Sequence, residues 1–197
     1  FTSVMEIINN VTMLGILLAG AALIREREHG TIEHLLVMPV TSVEIMLAKI
    51  IANGIVILVA AIASLIFVVH YVLGVPIAGS LALFASGIAI YLVAVTGLGL
   101  MLATWANSMP QFVLLSMPVL IVLELLSGSA TPLESMPIWL QTVMQFAPST
   151  HFVSFSQDVL YRGAGFNIVW PDMIWLVAIA IFYFALSLAR FRRAIVA

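Results

Sequence analysis

The stretch Arg25-Glu26-Arg27-Glu28-His29-Gly30-Thr31-Ile32-Glu33-His34-Leu35-Leu36-Val37-Met38-Pro39-Val40-Thr41-Ser42-Val43-Glu44, followed by Lys49, is an island of charge in a chain that otherwise avoids it. Seven of the sixteen Asp, Glu, Lys and Arg residues lie between Arg25 and Lys49. Apolar runs flank it, over residues 7–24 on one side and 43–73 on the other. Charge is expensive in lipid, so the island belongs in water at a membrane face.

Composition supports that frame. The chain is 63% hydrophobic and 8% charged, with a mean hydropathy of +1.22. A soluble domain carries about 25% charged residues, so this is an integral membrane protein. With no cysteine, disulfides, thiolate metal sites and cysteine nucleophiles are excluded.

A spanning helix needs roughly 17 to 25 apolar residues. Five stretches qualify: 7–24, 43–73, 81–104, 111–127 and 172–190. The second is long for a simple crossing and is expected to tilt or project. Continuous apolar runs without alternation argue against a β-barrel. Alternating crossings put Arg25, Arg27, Lys49, Arg190, Arg192 and Arg193 on one side and Arg162 on the other. The positive-inside rule makes the first side cytoplasmic, with the C-terminus inside. An N-terminus outside, beginning at Phe1 without a leader, leads us to expect an upstream span and a fragment of a longer protein.

The longest segment between spans, 128–170, falls on the outer side. Its run from Met136 to Phe146 is apolar but too short to cross, as in re-entrant or interfacial helices. Pro148-Ser149-Thr150 offers an N-cap for a second short helix, and Gly163 and Gly165 offer its stop. Trp139, Trp170 and Trp175 suit the headgroup level. The fold expected is all-α: an integral membrane helical bundle of five spans, a short cytoplasmic helix and an outer re-entrant or interfacial helical segment.

The island itself has two helical starts. Thr41-Ser42-Val43-Glu44 reads as a capping box, with Val40 and Ile45 at the hydrophobic-staple positions. Pro39 stops any helix arriving from upstream. A first helix is predicted over about 31–38, with Gly30-Thr31 as its start and Glu33 in its first turn. Ile32, Leu35 and Leu36 fall at i, i+3 and i+4 and form one apolar stripe. About 12 Å long, such a helix is not stable alone and must dock on headgroups or on a partner. It either turns the chain round at the interface or couples it to a cytoplasmic protein.

The run Glu26-Arg27-Glu28-His29-Gly30-Thr31-Ile32-Glu33-His34-Leu35-Leu36-Val37-Met38-Pro39 resembles the E-R-E-x-G-T-x-E-x-L-L-x-x-P signature of type-2 ABC transporter permeases. A second match runs from Leu126 through Ser127-Gly128-Ser129-Ala130-Thr131-Pro132-Leu133-Glu134-Ser135-Met136-Pro137 to Gln141, followed by Pro148 and His151. It is similar to the extracytoplasmic re-entrant segment that these permeases carry before their last span. With the span layout, the resemblance covers essentially residues 1–197. Such permeases usually have six spans, often with a large extracytoplasmic domain after the first, so residues 1–197 are expected to correspond to the part that follows them.

The resemblance implies the membrane subunit of an ABC exporter in the bacterial inner membrane, moving a drug, lipid or lipid-linked substrate. It implies a coupling surface toward an ATP-binding subunit at Glu26, Glu28, Gly30, Thr31, Glu33, Leu35, Leu36 and Pro39. The implied partners are that ATPase, a second permease half as homo- or heterodimer, the lipid bilayer and a periplasmic adaptor, with no nucleic acid. ATP and Mg would be bound by the partner subunit, with no cofactor on this chain.

The residues agree on one point: no G-x-x-x-x-G-K-[ST] loop occurs, so a P-loop ATPase site must belong to another chain. His29 and His34 with Glu33 miss the H-E-x-x-H spacing of a zinc site, and Ser127-Gly128-Ser129 lacks the G-x-S-x-G frame. Glu124, the acidic residue within a predicted span, is a candidate for the pathway or gate, and Pro118 is expected to kink the same helix. His70 reads as interfacial. Gly15 with Ala19, Ala85 with Ala89, and Ala185 with Ala189 are small-residue pairs suited to close helix packing. Two rival readings remain: a proton-coupled secondary transporter using Glu124, and a non-transporting membrane scaffold.

Overall fold

The computed structural model describes residues 2–29, 41–74, 78–128 and 131–196. Helix α1 (Thr2–Glu28) is followed by α2 (Ser42–Ser64), which runs on without a break as a π-helical segment (Leu65–Val72). Then come α3 (Leu81–Trp105), α4 (Met109–Leu126), a 3-10 turn (Leu133–Ser135), α5 (Ile138–Met144), α6 (Pro148–Leu160) and α7 (Phe166–Val196). No strand occurs among the described residues. Among the described residues, five helices are long and apolar enough to cross a membrane: α1, α2 with its π segment, α3, α4 and α7 to Phe191. The all-α membrane bundle expected from the apolar runs is the fold observed.

Boundaries differ where polar residues sit at helix ends. The first helix begins at Thr2, so Glu6 lies inside it rather than before it. The last begins at Phe166, placing Pro171 in its second turn. The long second run is a single 31-residue helix whose last eight residues wind as π-helix, closed by Leu73 N–H donating to the Val68 carbonyl at 2.9 Å. The capping box forms as the sequence predicts. Thr41 N–H donates to Glu44 Oε2 at 2.6 Å, and Glu44 N–H donates back to Thr41 Oγ1 at 3.3 Å.

Two helices form the centre. Of the apolar window of each span, 61% is buried in α1 and 56% in α3, against 22% in α2, α4 and α7. The outer faces of those three helices carry exposed Ile51, Ile55, Val59, Leu114, Ile121, Ile174 and Ile181, suited to lipid. Helix α1 meets α3 almost backbone to backbone: a Cβ on Gly99 would stand 2.4 Å from the Ile16 carbonyl oxygen. Gly15 faces the same seam, against Val95, and Ala19, one turn on, is fully buried. Ala185 and Ala189 of α7 are exposed. On the far side of α3, Gly97 lies against Tyr183 and Phe184 of α7, and Ser187 Oγ donates to the Gly97 carbonyl at 2.8 Å.

The short helices pack over the end of the bundle where α4 finishes and α7 starts. Phe152 of α6 stacks on Tyr91 with centroids 4.2 Å apart and planes 9° apart, flanked by Phe84 and Phe155. The Tyr91 hydroxyl is 2.5 Å from Thr12 Oγ1. Thr12 gives its own proton to the Ile8 carbonyl at 2.7 Å, so Tyr91 is the donor. One expectation is corrected here. Pro148-Ser149-Thr150 is not a side-chain cap, because α6 starts at Pro148 with Ala147 as N-cap. Ser149 and Thr150 thus fall in its first turn, where both hydroxyls are buried without a partner among the described residues. Gly163 does end the segment, in the left-handed region with φ of 64°.

Candidate functional site

The end of α1 carries the first half of the island, and successive residues there reach different helices. A helix turns about 100° per residue, so Glu26, Arg27 and Glu28 fan out. Glu26 forms an ion pair with Lys49 of α2. Arg27 Nη1 donates to the carbonyls of Ala103 at 3.3 Å and Ala106 at 3.2 Å, where α3 finishes. Those carbonyls have no intrahelical partner and carry the negative end of the helix dipole, so a guanidinium suits them.

Glu28 Oε1 accepts from the Met109 N–H at 3.0 Å, at the start of α4. The α4 N-cap, Ser108, makes no side-chain cap of its own, and Glu28 supplies that acceptor from another helix. Helix α7 joins through Arg190, whose guanidinium lies 4.8 Å above the Trp105 ring. All five spans are therefore tied at one end by side chains from the island and its surroundings.

Of the eight residues assigned to the coupling surface, Glu26 and Glu28 are described, with carboxylates turned onto Lys49 and Met109. Gly30, Thr31, Glu33, Leu35, Leu36 and Pro39, with the helix predicted over 31–38, lie outside the described residues. Their two anchors are in view. His29 closes α1, its N–H and Nδ1 both on the Arg25 carbonyl at 3.0 and 2.7 Å, and the Thr41 capping box opens α2.

At the opposite end, Glu124 lines a cleft of about 180 Å³ between α1 and α4. Facing it across the cleft are Glu6, Asn9, Asn10 and Met13, spaced i, i+3, i+4 and i+7 along one side of α1. Starting the first span at residue 7 leaves out Glu6 and so separates it from Asn9 and Asn10, its polar neighbours on that face. Pro118 lies inside α4 but is not among the lining residues. His70 meets Tyr71 edge-on at 5.2 Å, at the end of the π segment. The 3-10 turn and α6 enclose a polar recess that Glu134, Thr150, Gln157 and Arg162 help to line.

Comparison with known proteins places this architecture. The family model for ABC-2 type transporters matches residues 2–161, from the start of α1 through the end of α6. The chain belongs to the ABC-2 type transporter family. It is 56% identical to the inner membrane transport permease YhhJ of Escherichia coli (strain K12), over 99% of this chain and 52% of that protein. It is 31% identical to the probable multidrug ABC transporter permease YbhR of the same strain, over 95% of this chain and 51% of that protein. The ABC transporter G family member 20 of Dictyostelium discoideum is 24% identical over 83% of this chain. This ABC-2 chain thus spans about half the length of the bacterial relatives it matches.

Proposed function

We propose that this ABC-2 chain is the membrane-spanning part of a permease subunit in an ATP-driven exporter, set in a bacterial inner membrane with its C-terminus cytoplasmic. The observation that carries this reading is the fan of Glu26, Arg27 and Glu28 onto α2, α3 and α4. A push on segment 30–40 is delivered to both its anchors. Because α1 is tied to its neighbours at that same end, the spans respond together. Gly30, Thr31, Glu33, Leu35, Leu36 and Pro39 form the surface that meets the ATP-binding subunit. Glu26 and Glu28 hold that surface to the bundle.

ATP and Mg belong to the partner, and two permease halves and two ATPases make up the working assembly. The names of the relatives support transport, and one of them carries the term multidrug. A drug, lipid or lipid-linked substrate fits a pathway walled by apolar helices, with a periplasmic adaptor receiving it outside. The cleft between α1 and α4, bearing Glu6 and Glu124, is the part of the surface best suited to line that pathway.

The same two carboxylates favour a second reading, a proton-coupled transporter. Flux through the full-length permease and its ATPase in proteoliposomes separates them. ATP-driven export should persist when the proton gradient is collapsed. Flux that ignores ATP and fails in Glu124→Gln supports the second reading, and no flux in any assembly supports a scaffold.

A further inference from the structure

His151, in the first turn of α6, has both ring nitrogens facing hydrogen-bond acceptors. Nδ1 lies 3.3 Å from Asp172 Oδ1 of α7, and Nε2 lies 2.9 Å from the carbonyl of Gln145, which ends α5. The ring also stacks on Trp175 of α7, with centroids 5.7 Å apart and planes 7° apart. The side chain is 12% exposed, with the Asp172 contact part-buried and the Gln145 contact on the open side.

A neutral imidazole has one N–H and one lone pair, so it can satisfy one of these acceptors and opposes the other. The imidazolium has two N–H groups and satisfies both, one of them onto a carboxylate. We infer that His151 is a proton-operated clasp that joins α5, α6 and α7 when protonated and releases one of its two contacts when neutral. Asp172 and Trp175, one turn apart on α7, hold the ring in place for either state: the neutral ring keeps its one N–H on the Asp172 carboxylate, so the contact released is the Gln145 carbonyl and the element freed is α5. This device is independent of how transport is powered.

The charged surroundings leave Asp172 as the ionisable group touching the ring among the described residues. On α6 itself, Asp158 is held by Arg162 at 2.6 Å. Glu134 faces α6 across the polar recess, beside Thr150 and Arg162. Helix α5 carries no titratable residue. Tyr91 of α3 is bonded to Thr12, and Glu6 of α1 and Glu124 of α4 line their own cleft. On α7, Tyr183 donates to the Phe146 carbonyl at 3.5 Å, and Arg190 lies at the other end of the bundle over Trp105.

The test is amide hydrogen exchange of the full-length permease in lipid nanodiscs from about pH 5.5 to about pH 8, corrected for intrinsic exchange. Protection of the Gln145, Phe146 and Ala147 amides should fall about tenfold as pH rises, the factor expected for loss of one charge-assisted hydrogen bond. His151→Gln should abolish the step. Should that variant fail to fold, imidazole nitrogen spectra of the wild type carry the test. Both ring nitrogens should be protonated at low pH, and loss of one proton should coincide with the exchange step. Flat protection in the wild type, a step that survives in His151→Gln, or imidazole titration without a change in protection would overturn the clasp.

Discussion

Glu26 and Lys49, twenty-three residues apart in sequence, form an ion pair that joins the last turn of α1 to α2 about two turns from its start. The second Glu26 oxygen, Oε2, is buried with no partner among the described residues, so the lysine is what balances that carboxylate. Lys49→Met leaves it uncompensated and should cost about 1–3 kcal/mol. Adding Glu26→Gln should recover most of the loss, because removing both charges of an enclosed pair is far milder than removing one. Thermal unfolding of the two single variants and the double variant measures the coupling, and simple additivity would refute it.

Arg27 makes the corresponding link to α3. Arg27→Met removes both of its bonds to the carbonyls of Ala103 and Ala106. The loss expected is about 1.5–3 kcal/mol, the range for hydrogen bonds to charged groups. Proteolysis of the α3–α4 turn at Ala106–Ser108 in detergent should quicken accordingly. An unchanged cleavage rate would mean that the guanidinium does not hold that turn.

Gly99 and Gly54 make a matched pair of tests. A Cβ at Gly99 meets the backbone of Ile16, whereas one at Gly54 meets nothing within 4 Å. Gly99→Ala must push α1 away from α3 and should destabilise by about 1–3 kcal/mol, as overpacking does. Gly54→Ala should be neutral or stabilising by up to about 1 kcal/mol. Equal melting temperatures for the two variants would contradict the close seam.

Around Tyr91, packing should outweigh polarity. Interhelical hydrogen bonds in membrane bundles average about 0.6 kcal/mol, so Tyr91→Phe should be mild despite the 2.5 Å contact with Thr12. Phe152→Ala empties a fully enclosed ring site stacked between Tyr91 and its neighbours and should cost about 3–5 kcal/mol. Melting curves that reverse this order would show that the hydroxyl, not the ring stack, anchors α6.

Much of the fold was legible because the bilayer imposes length and hydrophobicity on each span. The five apolar runs and the Thr41 capping box carry local signals that survive into the structure. Which helices are central was not legible. Helices that are apolar all round have no moment to reveal an inner face, and the burial of α1 and α3 depends on glycines such as Gly97 and Gly99 meeting particular neighbours. The inward roles of Glu26, Arg27 and Glu28 were hidden for a related reason. Their partners on α2, α3 and α4 lie about twenty to eighty residues away and follow from tertiary packing. The cleft stripe of Glu6, Asn9 and Asn10 had the right spacing. Glu6 was left out of it because a polar residue near a helix start looks like the end of the membrane.

The most direct test of coupling through the island is retention of the ATP-binding subunit by the full-length permease in detergent, comparing wild type with the Leu35→Asp, Leu36→Asp double variant. The ATPase should co-purify with wild type and be lost from the variant, while both insert as multi-pass proteins with the same melting behaviour. Full retention of the ATPase by a correctly inserted variant would contradict it.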